Sequence, residues 1–147
     1  MSALSTNIIN AITGHLAALK TASVLKAYLV QDFRENLLEN DLPAYPCAIL
    51  MPPAVDSAEE SRQTNLRTFT FDIVVVQKKE NLSGTNAIGE LIETIIDEFD
   101  NDPTLGGAAD GGVPPGSSTP DEVTSADGTF VVFVVTLRPR ALKNLTF

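Results

Sequence analysis

Four carboxylates, Glu90, Glu93, Asp97 and Asp100, recur three or four residues apart in the stretch NAIGELIETIIDEFDNDPTLGG, residues 86–107. On a helix that spacing gathers them on one face. A carboxylate pair does acid–base work when an apolar wall buries one member and shifts its pKa. Here Ile88, Leu91, Ile92, Ile95, Ile96 and Phe99 fill the opposite stripe, so the acids are expected in water. In an oligomer the same face could meet a neighbour's arginine or line a channel. His15, the sole histidine, lies at the edge of another apolar helical stripe. No partner for it is evident in the sequence, so a partly buried structural role is expected.

Other chemistry is thinner. Cys47 stands alone in Cys-Ala-Ile-Leu, which excludes an intrachain disulfide or thiolate cluster and suits a small buried hydrophobe. Gly106, Gly107, Gly111, Gly112 and Gly116 follow a helix instead of introducing one, and neither GxxxxGK[ST] nor GxGxxG occurs. A phosphate-cradling loop is therefore not expected. Ser61, Ser83, Ser117 and Ser118 fall in no nucleophile motif. Arg62 and Arg67 flank a polar stretch and are candidates, with Glu59, Glu60 and Asp110, for contacts to a partner or neighbouring subunit. No cofactor and no metal site is indicated.

The elements that would position these residues read as follows. Leu4, Ile8, Ile12, Leu16 and Leu19 repeat at helical spacing over residues 4–19. Residues 24–30 suit a short edge strand, although Leu25, Tyr28, Leu29 and Phe33 also fit a helix; one helical turn is expected near 35–38. Residues 44–51 form a strand that Pro52–Pro53 stops. Residues 54–65, AVDSAEESRQTN, are polar and lack apolar periodicity, predicting a long loop. Residues 66–78 form a strand on the alternation of Phe69, Phe71, Ile73 and Val75, and the second helix spans 87–101 before Pro103. Residues 105–120, rich in Gly and Pro, predict a wandering loop. A short strand at 121–125, a turn at Asp127–Gly128 and an apolar strand at 129–138 follow, with Pro139 ending it and 140–147 left as a tail. The expected fold is a single α+β domain, an antiparallel sheet with two main helices packed on it and long loops at 54–65 and 105–120.

The bulk properties agree with one core. The chain has 147 residues and a net charge of −9, a poor balance for gripping nucleic acid. It has no apolar run long enough to cross a bilayer and no signal-peptide pattern at its start, so folding in a reducing cytoplasm is expected.

The order of these elements, and above all the helix running into Asp102-Pro103-Thr104-Leu105-Gly106-Gly107, resembles the tail terminator, or tail completion, proteins of long-tailed bacteriophages. The resemblance covers most of the chain as an order of elements and DPTLGG as a motif; the long Gly/Pro loop at 108–120 departs from it. It implies a virion protein, a small subunit that assembles with itself into a ring, typically a hexamer, at the head-proximal end of the tail tube. The ring would stop tube polymerisation and present a surface to the head–tail connector or stopper protein, while DNA passes through without specific binding. Glu90, Glu93, Asp97 and Asp100 would then face the lumen or an interface. The alternatives are another neck or tail component, such as a connector or tube subunit, and a small-ligand regulatory module; an enzyme has the least support.

Overall fold

The computed structural model describes residues 4–30, 44–61, 64–79, 87–113, 121–125 and 128–144. In order these form α1 (Leu4–Thr21), β1 (Ala27–Val30), β2 (Cys47–Leu50), β3 (Ala54–Ser61), β4 (Thr64–Lys78), α2 (Ala87–Asp100), a 3-10 turn at Leu105–Gly107, β5 (Asp121–Ser125), β6 (Gly128–Leu137) and β7 (Arg140–Asn144). The helical turn expected at 35–38 lies outside the described residues. The fold is α+β, with two helices and one sheet among the described residues.

β4 is the strand around which the sheet is built. The main path runs β1-β2-β4-β6-β5, with β3 and β7 also paired to β4. β4 is antiparallel to all four of its neighbours, while β1 lies parallel to β2. The sheet is thus mixed at one edge, where an entirely antiparallel one was expected. Along β4, residues Phe71–Lys78 pair with β6, and Ile73–Val76 also with β2 on the other side. Residues Thr64–Thr70 pair with β3, and Thr64–Thr68 with β7.

Two sequence readings are corrected here. Residues 54–65 are not a loop: 54–61 are β3, and 64–65 begin β4. Residues 140–144 are not a tail but β7. Both errors share a cause. Pro52–Pro53 and Pro139 do interrupt a strand, because proline offers no N–H to the ladder. Yet the chain resumes beside the same partner. The Met51 N–H donates to the Asp72 carbonyl at 3.0 Å on one flank, and the Phe69 N–H to the Pro139 carbonyl at 2.9 Å on the other. β2 with β3, and β6 with β7, therefore act as two broken strands flanking one long one.

The helices cover the face of the sheet that carries Phe69, Phe71, Ile73 and Val75. Ile8, Ile12, Leu16 and Leu19 of α1 are all buried in this core, as their spacing predicts. α1 ends with Ser23 at φ 62, the Val24 N–H reaching back to the Leu19 carbonyl at 3.0 Å, a left-handed helix cap with serine in the place glycine usually takes. α2 is less enclosed. Ile95 and Phe99 are buried, while Ile88, Leu91, Ile92 and Ile96 are half-buried. On the other face Ala27, Cys47, Ile49, Val76 and Phe130 form a second buried cluster, with the Tyr45 ring 5.4 Å from that of Phe130. Cys47 is completely buried.

The loop expected at 105–120 is in part built into the core. Leu105 and Ala109 are buried, and Gly112 forms a β-bridge to Arg140. Residues 114–120 lie outside the described residues.

Candidate functional site

Three regions carry polar chemistry on this frame. The first joins α1 to the end of α2. His15 Nδ1 lies 3.1 Å from Glu98 Oε1 and Nε2 lies 2.7 Å from Asp102 Oδ2, with the ring 5.3 Å from that of Phe99. α1 brings the histidine and the close of α2 brings both carboxylates. Burial opposes the charged imidazole, but the hydrogen bonds to Glu98 and Asp102 and their negative charges outweigh it and raise the His15 pKa above 6.5. Protonated His15 donates from both nitrogens. It also places a cation by the C-terminal turn of a helix that has no basic residue there, where the helix dipole favours one.

Asp102 has a second task. Its Oδ1 accepts the Gly106 N–H at 2.9 Å, and its carbonyl accepts the Leu105 N–H at 3.0 Å. The bond from Gly106 and then that from His15 lower the Asp102 pKa below 3.8. Leu105, Gly106 and Gly107 have φ of 50, 66 and 94. Glycine takes this region freely; Leu105 is held in it with its side chain buried. DPTLGG is therefore a capped turn that plugs Leu105 into the core. The two carboxylates take different nitrogens of one ring, and no group of three or more His, Cys, Asp or Glu side chains among the described residues is placed to hold a metal. His15 and Asp102 came singly to attention in the sequence. Glu98 did not, although Glu98 and Asp102, four apart, lie on one side of the helix end.

The second region is the acidic face of α2. Glu90, Glu93, Asp97 and Asp100 are all exposed and make no ion pair among the described residues. The third is an arm: β3, the first half of β4, and β7. Val55 and Leu142, 52% and 42% exposed, are two of the three large apolar side chains left open to solvent among the described residues. Arg67 stands half-buried in the middle strand. Glu59 and Glu60 fall in β3 near the tip. Arg62 lies outside the described residues. Asp110 is exposed, and its carboxylate accepts the Leu142 N–H at 3.0 Å, fastening the start of the glycine-rich segment to β7. Arg140 sits at the root of the arm with its Nε buried and without a hydrogen-bond partner among the described residues.

Where the arm meets the body, a groove of about 490 Å³ opens between Met51, Pro52, Pro53, Ala54, Val74 and Val134. Asp72, also in its wall, already accepts the Thr136 hydroxyl at 2.9 Å. No described helix is long and apolar enough to cross a membrane. The sequence matches no family model and no curated protein.

Proposed function

We propose that this chain is a structural subunit of a long phage tail. It closes a ring, typically a hexamer, on the head-proximal end of the tail tube. There it ends tube polymerisation and offers a surface to the connector or stopper protein, with no catalytic role. The arm carries this reading. β3, the first half of β4 and β7 carry the exposed Val55 and Leu142, and apolar side chains left open to solvent among the described residues suit contact with neighbours. The order of elements and the DPTLGG turn support the same reading. A net charge of −9 suits a channel that DNA slides through, since phosphate binding needs clustered Lys and Arg. The protein would be made in the host cytoplasm and reside in the virion.

An in-frame deletion in the phage that encodes the protein tests this. Electron microscopy should show tubes of uncontrolled length that fail to join filled heads. Tubes of normal length joined to filled heads would overturn the reading. Protein repeated along the whole tube in labelled wild-type tails would replace it with that of a tube subunit, which an arm for neighbours also suits.

A further inference from the structure

We infer that the arm of one subunit docks along the outer face of α2 of a second copy, an inference that rests on the ring reading above and gives the ring its head-to-tail contact. The two surfaces differ in charge. Among the described side chains of residues 54–70 and 140–144, Arg67, Arg140 and Lys143 stand against Asp56, while the chain as a whole carries a net charge of −9. Subunits this acidic repel one another overall, so a specific contact needs a local patch of opposite sign.

The register places that patch. Arg67 pairs with Ala141 and Asn65 with Lys143, so Arg67 and Lys143 are diagonal neighbours on one face of the arm. Val55 pairs with Phe69, which puts this exposed valine on the same face. Neither Arg67 nor Lys143 makes an ion pair among the described residues.

α2 offers the complement. Glu90, Glu93, Asp97 and Asp100 form an exposed stripe with no cation paired to it among the described residues. Half-buried Ile96 borders Glu93 and Asp100 on the helical wheel, so an apolar strip for Val55 lies beside the acids. Among the described residues of one chain Arg67, Lys143 and the helix's carboxylates make no ion pair, and a second copy brings them together. Because the patches differ, each subunit gives its arm to one neighbour and its helix to the other. Such a contact closes into a ring when its rotation allows.

Charge reversal tests the pairing on purified tail tubes, with ring assembly on tube ends scored by sedimentation and electron microscopy. Arg67→Glu with Lys143→Glu should raise the concentration needed for assembly at least about tenfold, and so should Glu93→Lys with Asp97→Lys. The chain with all four changes should recover to within about threefold of wild type, because each reversed patch again meets its opposite. Circular dichroism and the urea midpoint check that every variant folds. Rings forming equally well in all variants, or a fourfold variant no better than its parents, would overturn the docking while leaving the ring reading intact. Wild-type protein that forms no ring on tube ends would overturn the ring reading, and the docking with it.

Discussion

The two halves of β4 are continuous in sequence and opposite in surroundings. From Ile73 to Val76 the strand lies between β2 and β6, which are flanked in turn by β1 and β5. Phe71, Ile73 and Val75 are buried on the helix side and Val76 on the other. From Thr64 to Thr68 it lies between β3 and β7, and every residue is half-buried. Burial secures the first half. The second has ladder hydrogen bonds and cross-strand pairs, which contribute far less per residue. One strand thus serves as core and as a platform extended beyond it.

The sharpest way to break this contrast is to truncate the body half. Phe71 is fully buried against the helices. Phe71→Ala should cost about 3–5 kcal/mol, through lost burial and the cavity left behind. Urea unfolding of the isolated subunit measures it. A loss of under about 1 kcal/mol would mean that the helices do not cover this half of the strand.

A middle-sized effect is expected at His15, which ties α1 to the end of α2 rather than strand to strand. Its pKa is raised by folding, so its stabilisation is complete below 6.5 and disappears as pH rises through the folded value. The Asp102 pKa is lowered, so its contribution is present above 3.8 and disappears as pH falls through the folded value. Both act in full between about pH 4 and 6.5. His15→Gln should cost about 1–2 kcal/mol at pH 5, the scale of charge-assisted hydrogen bonds in a partly exposed site. As the pH is raised past 6.5 toward 9 and through the folded value, the gap should narrow. An equal gap at both values, from urea midpoints, would show that the charge plays no part.

Legibility from sequence follows the same division. Residues facing a core leave a period behind, and those periods disclosed α1, β6 and the body half of β4 correctly. β3 faces no core. Val55, Asp56, Ser57 and Ala58 are all exposed, so the alternation that marks a strand is missing and the stretch reads as a loop. Pro52–Pro53 and Pro139 deepen the error, since a local rule ends a strand at proline while the ladder continues past it. β1 is four residues long, too short for its parallel pairing to show. The acidic face of α2 was legible because amphipathic spacing is local. The His15 cluster was not, because its bonds span 83 and 87 residues of sequence and depend on how two helices cross.

The smallest effect is expected in the arm. Leu142, 42% exposed, pairs across the ladder with Leu66 of β4. If the arm is held by its backbone ladder, Leu142→Thr should change the stability of the isolated subunit by no more than about 0.5 kcal/mol, the usual range for surface positions. Threonine is β-branched, a shape that strands favour, so the ladder itself is spared. The variant removes apolar surface that is already 42% exposed, so less burial is lost than at a core position. Measured beside Phe71→Ala under the same urea conditions, it sets the body and the arm several kcal/mol apart, as the ranges for core and surface positions imply. A loss above about 1.5 kcal/mol, nearer the core range than the surface one, would show that the arm packs against something in its own chain. The contrast between body and arm would then fail, and with it the view of the arm as surface held open for a neighbour.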